Sequence, residues 1–182
     1  MRLQPVVPGA YGKSVFRRSA MRYIRIRRRR NQLNAMSAKV LVLNGPNLNL
    51  LGTREPELYG HESLADIETM LRQRAESLEL RLSFAQHNGE GALISAVHDA
   101  QSMDGILLNA GAYTHSSIAL RDALLAVKTP TWLVHLSEPE NREPFRRVDY
   151  LADVALGRTA GQGAQGYLVA LEALAQHLRT RG

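Results

Sequence analysis

Apolar and polar residues alternate along the chain in a pattern that predicts strands and helices in turn between residues 40 and 178. Continuous apolar runs, typical of strands buried on both faces, occupy residues 40–43, 105–108 and 131–134. Residues 80–86 alternate as in a half-buried strand, and residues 153–159 predict a weaker fifth strand. The pattern therefore predicts five short strands.

Helices are predicted between these strands, because apolar side chains recur there every three or four residues. The first is expected to follow Ser63, since Asp66 three residues later completes a pattern like a capping box. A second helix is predicted near residues 92–100, and a third behind a cap at Ser116 or Ser117. The last is predicted over residues 166–178, with four leucines turned inward: Leu168, Leu171, Leu174 and Leu178.

This alternation favours an α/β fold in which a parallel five-stranded sheet carries helices on both faces. Right-handed crossover connections make a doubly wound topology the expected one. A sheet of this kind binds its ligand outside the carboxyl ends of its strands. Polar residues directly after the strand ends are therefore the candidates for a functional site.

The first cluster of such residues follows the first strand and contains Asn44, Asn47 and Asn49. Turn formation alone explains the Asn-Gly-Pro sequence. Three amides at one strand end also suit a polyhydroxylated ligand, because an amide both donates and accepts hydrogen bonds. The connection to the next helix is long, as in many loops that close over a site, and it carries Arg54 and Tyr59. It contains no G-x-G-x-x-G dinucleotide fingerprint.

Two further clusters follow the third and fourth strands. Asn109 and His115 lie after the third strand, and His135, Leu136 and Ser137 lie at the end of the fourth. A lone His near a helix start, such as His115, is more often a surface or capping residue than a catalyst, whereas a His that leaves a buried strand, such as His135, is more often functional. A surface basic patch would explain the arginines that follow, Arg142, Arg146 and Arg147. Together, these residue types suit proton transfer on a small anionic, hydroxylated substrate. The sequence lacks metal-ligand spacing such as H-E-x-x-H, and no metal is expected.

Charge divides the chain into two segments. The 182 residues carry a net charge of +6, but ten of the 23 basic residues and none of the 17 acidic ones fall in residues 1–36. Residues 37–182 then hold 13 basic and 17 acidic residues, a net charge of −4. Residues 1–36 are predicted to be a disordered basic extension. Residues 37–182 are predicted to be a single catalytic domain with no nucleic-acid partner.

Other interpretations of the extension stay open at this point. An Arg-rich, acid-free segment is also compatible with a transit peptide or with weak nucleic-acid binding, and a gene start at Met36 would make the upstream residues an artefact. A secretory signal is not expected, because no apolar stretch of ~7–15 residues occurs there. No apolar run reaches the ~18 residues of a membrane span. The absence of Cys excludes disulfides and a Cys nucleophile, and a cytoplasmic location is the expectation.

The strand-end motifs, taken in order, resemble those of the type II 3-dehydroquinate dehydratases, lyases of the shikimate pathway. The resemblance runs from about residue 40 to residue 178, and the several motifs in order are far more specific than any one alone. They are NGPNLNLLG at 44–52, REP at 54–56 with Tyr59-Gly60, Glu90-Gly91, NAG at 109–111 with Thr114-His115, ALRD at 119–122, VHLS at 134–137, REPFR at 142–146 and residues 163–168.

The resemblance implies a flavodoxin-like fold, trimers assembled into a homododecamer, and an enzyme without cofactor or metal. It implies that Tyr59 is the general base for the C2 proton of 3-dehydroquinate, with Arg54 beside it to stabilise the transition state. His135 would be the general acid for the C1 hydroxyl, and Asn47 would hold a water at the enolate oxygen. The implied substrate-binding residues are Asn109, His115, Asp122, Leu136, Ser137, Arg142 and Arg146. Of these, Asp122 would reach a neighbouring subunit's site and Arg142 would close over the lid.

Two positions depart from the family pattern. Leu133 stands where the family usually has Glu, which removes a hydrogen-bond partner of the acid His, and Glu138 stands where Asn is usual, which adds negative charge near the expected carboxylate site. The alternative hypothesis is therefore a binding protein on a catalytically weakened dehydratase scaffold. Retention of Tyr59, Arg54 and His135 argues against it. A flavin-binding protein is a third hypothesis, and it ranks lowest because the first loop lacks a Ser/Thr-rich phosphate cradle.

Overall fold

The computed structural model describes residues 37–180 of the chain, and its centre is a sheet of five parallel strands. The strands lie in the order β2-β1-β3-β4-β5, which confirms the predicted doubly wound, flavodoxin-like topology. Their bounds are β1 Ala38–Asn44, β2 Leu80–Gln86, β3 Gly105–Asn109, β4 Thr131–Val134 and β5 Gly157–Thr159.

Helices cover both faces of the sheet. They are α1 Pro56–Tyr59, α2 Leu64–Leu78, α3 Glu90–Asp99, α4 Ile118–Val127 and α5 Gln165–Arg179. Val40 and Val42 of β1 pack in one apolar cluster with α2 and α5, while Leu41 and Leu43 pack in a second cluster with α3 and α4. Because successive side chains of a strand point to opposite faces, a strand buried on both sides needs a continuous apolar run. This is why the uninterrupted apolar runs marked the central strands.

The predicted helix caps are present. The Ser63 side chain accepts a hydrogen bond from the Asp66 N–H, and the Asp66 carboxylate accepts one from the Ser63 N–H, which completes the capping box of α2. Of the two candidate caps for α4, Ser117 is the one used: its hydroxyl accepts the Leu120 N–H at 2.8 Å. Both helices therefore begin where the sequence places them.

Two expectations need correction. The fifth strand begins at Gly157 and not at residue 153, and a Cβ at Gly157 would lie 2.7 Å from the Trp132 ring, so only glycine lets this edge strand approach β4. The inward face of α5 is centred on Tyr167, Leu171 and Leu174, whereas Leu168 and Leu178 are only partly buried. Apolar spacing alone missed Tyr167, because its phenol finds buried hydrogen-bond partners that a sequence pattern does not reveal.

The predictions about the basic extension concern residues 1–36, which lie outside the described residues. Within residues 37–180, no helix is both long and apolar enough to cross a membrane.

Candidate active site

A pocket of about 150 Å³ opens beyond the carboxyl ends of β1, β3 and β4. That is about ten times the ~10–15 Å³ that a single water needs, so the space suits a small organic molecule. Ten of the eleven residues singled out from the sequence line it: Asn47, Arg54, Tyr59, Asn109, His115, His135, Leu136, Ser137, Arg142 and Arg146. The strand-end reasoning therefore brought these residues together correctly.

The charge of the pocket wall favours an anionic ligand. The wall includes three arginines and two histidines, and none of its described residues is acidic. A concave surface lined by charges of one sign concentrates ligands of the opposite sign. A small carboxylate is therefore the kind of molecule that this pocket attracts.

The strand order explains where the pocket forms. Neighbouring strands β1 and β3 send their chains to opposite faces of the sheet, which leaves a crevice between their ends. The two strand ends lie very close, since a Cβ at Gly45 would lie 2.4 Å from the Ala110 carbonyl oxygen, and the Gly45 N–H donates to the Asn109 carbonyl at 2.7 Å. Glycine at 45 is therefore a steric requirement of the site's floor.

The turn after β1 presents Asn47 to the pocket. Asn47 adopts a left-handed backbone conformation with φ of 67°, which Asn tolerates better than most residues. Its backbone N–H donates to Asn88 Oδ1 at 2.9 Å, and Gln86 Nε2 donates to the same oxygen at 2.9 Å. The backbone is thus fixed from β2, and the Asn47 side chain stands at the pocket wall.

Tyr59 ends the short helix α1, and two arginines flank its ring. Arg142 Nη1 donates a hydrogen bond to the Tyr59 hydroxyl at 2.6 Å. The Cζ atoms of Arg54 and Arg142 each lie 5.5 Å from the ring centroid. Sequence reasoning placed Arg54 beside Tyr59, and the structure adds Arg142 as the direct hydrogen-bond partner of the phenol.

His135 directly follows β4 and is 7% exposed. Its backbone N–H donates to the Thr159 carbonyl at 2.8 Å, so the residue is held against the end of β5. Its ring Nε2 lies 3.5 Å from Asp149 Oδ2. The imidazole therefore sits between the pocket and a buried carboxylate.

His115 lies beside His135, with the two ring centroids 6.4 Å apart. Its Nδ1 is 2.6 Å from the Val148 carbonyl oxygen, to which it donates. Burial of the ring lowers the pKa of His115, the neighbouring His135 and Arg146 lower it further, and the bond to Val148 opposes them. A neutral ring that donates through Nδ1 leaves Nε2 as a hydrogen-bond acceptor.

A buried hydrogen-bond chain fixes Asn109. Its Nδ2 donates to the Tyr167 hydroxyl at 2.9 Å, and that hydroxyl donates to Asn44 Oδ1 at 2.6 Å. Asn109 Oδ1 accepts the Gly111 N–H at 3.2 Å. Burial raises the pKa of Tyr167, so it remains a neutral phenol. Part of the hydrogen-bonding capacity of Asn109 therefore serves the fold.

The two positions that depart from the family pattern lie away from the pocket wall. Leu133 is fully buried in the apolar cluster beneath α3 and α4. Glu138 is not among the lining residues, and a hydrogen bond with Glu140 together with burial raises its pKa. The negative charge expected near the substrate carboxylate is therefore not part of the described wall.

Sequence reasoning missed three residues around the site: Asp149, Arg158 and Tyr167. Asp149 Oδ2 lies 3.5 Å from His135 Nε2, and Arg158 Nη1 lies 3.7 Å from the same carboxylate oxygen. The one visible signal was an isolated acid after the basic stretch that ends at Arg147. Asp122, by contrast, was singled out but lies exposed on α4, outside the pocket.

Comparison with known proteins identifies the family. The family model of Dehydroquinase class II matches residues 38–175 of the chain. The chain belongs to the class II dehydroquinase family.

Similar proteins support this family membership over the whole described domain. A 3-dehydroquinate dehydratase of Synechococcus sp. strain WH7803 is 58% identical over 142 residues, which cover 78% of this chain and 97% of that protein. One from Ruegeria pomeroyi is 54% identical over 144 residues, or 79% and 97% of the two chains. The crystal structure of type II dehydroquinase from Butyrivibrio crossotus superposes with a TM-score of 0.74 at 40% identity and covers 76% of this chain and 97% of that one. The family match includes every residue that lines the pocket.

Proposed function

We propose that this chain is a type II 3-dehydroquinate dehydratase, a hydro-lyase that removes water from 3-dehydroquinate to give 3-dehydroshikimate in the shikimate pathway. The observation that carries the proposal is the convergence of one phenol, one imidazole and one amide in a single cationic pocket of a class II dehydroquinase. These are the groups that proton transfer next to a ketone requires.

The first step is removal of the C2 proton by Tyr59. As a phenolate, Tyr59 is a stronger base than a carboxylate, and the guanidinium groups of Arg54 and Arg142 beside its ring stabilise that negative charge. Loss of the proton moves the electron pair onto the C3 oxygen and forms an enolate. A water held by Asn47 donates a hydrogen bond to that oxygen, as an oxyanion needs.

The second step is loss of the C1 hydroxyl. The enolate collapses to reform the C3 carbonyl, the C1–C2 double bond forms, and the C1–oxygen bond breaks. His135 gives its proton to the departing hydroxyl, which leaves as water. Proton exchange with solvent then returns Tyr59 and His135 to their starting states. The steps use side chains and water, and the proposal includes no metal or cofactor.

Substrate binding is assigned to the remaining wall residues. Asn109, His115, Arg146 and the backbone of Leu136 and Ser137 would bind the hydroxyl and carboxylate groups of the substrate. Arg142 would hold the Tyr59 oxygen in place as the lid closes. Closure of this loop would exclude water and complete the site in one movement.

Assembly is part of the same proposal. We place the active unit in trimers that form a homododecamer in the cytoplasm. The exposed position of Asp122 on α4 supports a role in a neighbouring subunit's site, and Ile118 on the same helix is 59% exposed although it is apolar. A sequence without Cys is compatible with the proposed cytoplasmic location, because the cytoplasm is a reducing compartment in which disulfides are rare. Light scattering of the active protein should give at least a trimer, and an active monomer would refute the shared site.

The direct test is an assay with 3-dehydroquinate that follows the absorbance of the enone product. We expect saturable turnover by the purified chain. Binding of 3-dehydroquinate without turnover would contradict the proposal and favour the binding-protein alternative.

A further inference from the structure

A buried carboxylate, that of Asp149, lies beside the His135 ring. The side chains of Asp149 and His135 are 9% and 8% exposed, and Asp149 Oδ2 lies 3.5 Å from His135 Nε2. Within residues 37–180, neither of these two atoms has a hydrogen-bond partner that meets ordinary geometry. Two buried polar atoms that have no other hydrogen-bond partner and face each other across 3.5 Å point to an ion pair that tightens when the ring is protonated.

The backbone and one arginine hold Asp149 in this position. Asp149 Oδ1 accepts the Leu151 N–H at 2.9 Å in a turn typical of Asp, so one carboxylate oxygen is fixed by the chain itself. Arg158 Nη1 lies 3.7 Å from Oδ2, while Arg158 Nη2 is bound to Glu140 Oε1 at 2.9 Å. The carboxylate therefore lies between the imidazole and a guanidinium that a second acid partly neutralises.

The balance of these effects keeps Asp149 ionised. Burial by itself raises the pKa of Asp149, but the adjacent His135 ring, the hydrogen bond from the Leu151 N–H and the nearby positive charge of Arg158 outweigh burial and leave that pKa below its usual value. An ionised carboxylate beside a ring nitrogen fixes the proton on that nitrogen, orients the ring and stabilises the imidazolium.

We propose that Asp149 is the positioning residue for His135. It holds the proton on Nε2 and favours the imidazolium, so that the ring is oriented and charged when it protonates the departing hydroxyl. This role rests on the proposed function of His135 as general acid. It also compensates for Leu133, which stands where the family usually has a Glu partner for this His. Here the carboxylate reaches the imidazole from the loop after β4 and not from the strand itself.

Other charged groups face His135 and act in both directions. Arg158 behind Asp149 and Arg146 beside His115 oppose a positive charge on His135. The His115 ring, whose centroid lies 6.4 Å from that of His135, has a lowered pKa and adds no such charge while it is neutral. Glu138 favours the imidazolium, but its own negative charge is reduced by its hydrogen bond with Glu140. Among the described residues, Asp149 is the only carboxylate within ion-pair distance of the His135 ring.

The test combines Asp149→Asn with histidine NMR and steady-state kinetics. Asn keeps Oδ1 for the Leu151 N–H, so the loop should be preserved. Selective ¹³C labelling of histidine follows the titration of His135, assigned by the signal that disappears in His135→Gln.

We expect the His135 titration midpoint in Asp149→Asn to fall by about one pH unit, the size that a charge within ~4–6 Å produces. The alkaline limb of the profile of kcat against pH should shift to lower pH by the same amount. At pH values above this limb, kcat of the variant should then be about tenfold lower than that of the parent. KM should change little, because Asp149 does not line the pocket.

Two further variants sharpen the result. Arg158→Gln removes the competing positive charge and should move the His135 midpoint upward. Asp153→Asn is the matched control: it neutralises an exposed acid four residues away that pairs with Arg121, and both the midpoint and kcat should stay unchanged. An unchanged His135 midpoint in Asp149→Asn, or an unmoved kcat limb, would overturn the proposal. A parent chain without turnover would instead refute the proposed function, while the NMR titration, which needs no substrate, would still decide whether Asp149 controls His135.

Discussion

The two sides of the pocket hold the proposed proton-transfer residues in opposite ways. On the base side, Tyr59 ends a helix of four residues, and the hydrogen bond to its hydroxyl comes from Arg142, on a different loop. On the acid side, His135 is buried at the end of a central strand, bound to β5 through its backbone and backed by Asp149. Segments with few buried contacts open at the lowest free-energy cost. We therefore expect the proposed base to move with the closing loop and the proposed acid to stay fixed.

In the proposed mechanism, this difference accounts for how one site admits its substrate and still controls two proton transfers. A base on the closing loop reaches C2 only after the substrate is enclosed, when water is excluded. An acid on a fixed strand end keeps its orientation through the whole cycle. The bond between Arg142 and Tyr59 joins the two sides, because Arg142 follows β4 and Tyr59 follows β1.

The largest effect is expected from Tyr59→Phe, which removes one oxygen and leaves the packing of the ring. We expect kcat to fall by on the order of 10²–10⁴, the usual contribution of a general base, while 3-dehydroquinate still binds. Steady-state kinetics and equilibrium binding check both parts. Tyr150→Phe is the control, since Tyr150 is exposed and outside the pocket wall. Retained turnover in Tyr59→Phe would place the base elsewhere.

A smaller loss is expected when either flanking arginine is replaced by Met. Each substitution removes one of the two positive charges 5.5 Å from the Tyr59 ring, and we expect kcat to fall about tenfold, equivalent to ~1.4 kcal/mol. Arg142→Met should cost more than Arg54→Met, because Arg142 also donates to the phenol. Measured kcat values in the reverse order would mean that the hydrogen bond to Arg142 is broken in the closed site.

The smallest effect on kcat is expected from Tyr167→Phe. This substitution changes the buried hydrogen bonds at the ends of β1 and β3, below the pocket. Loss of its hydroxyl leaves Asn44 Oδ1 and Asn109 Nδ2 without that partner in a buried place. We expect the free energy of unfolding to fall by about 1–3 kcal/mol, measured by urea denaturation, with kcat reduced less than in the arginine variants. Tyr150→Phe again serves as the control. Equal free energies of unfolding for the two variants would show that the buried hydrogen-bond chain through Tyr167 contributes nothing to stability.

The sequence predicted the parts of this molecule that depend on local patterns. Apolar runs located the central strands, the Ser63–Asp66 pair located the start of α2, and the strand-end rule gathered ten wall residues that come from three separate loops. These predictions succeeded because burial and capping leave regular spacings in the sequence. Assembly and the individual roles of the wall residues stay predictions.

The missed contacts join residues that are distant in sequence. The Tyr167 hydroxyl bonds Asn44 across 123 positions, and Asp149 reaches His135 from a loop with no regular spacing. A tyrosine among leucines of an amphipathic helix, or an acid near arginines, has no local pattern that reveals its partner. Such pairs follow from the packed fold and not from the order of residues, so only the structure identified them.

The most direct test of the two-sided site is exchange of the C2 proton of 3-dehydroquinate with solvent deuterium, followed by NMR in Tyr59→Phe and in His135→Ala. Proton removal and loss of the hydroxyl are separate steps in the proposed mechanism, so each variant should stop a different one. We expect Tyr59→Phe to lose both exchange and turnover, and His135→Ala to lose turnover while some exchange survives. Undiminished exchange in Tyr59→Phe would show that another residue is the base and would contradict the account.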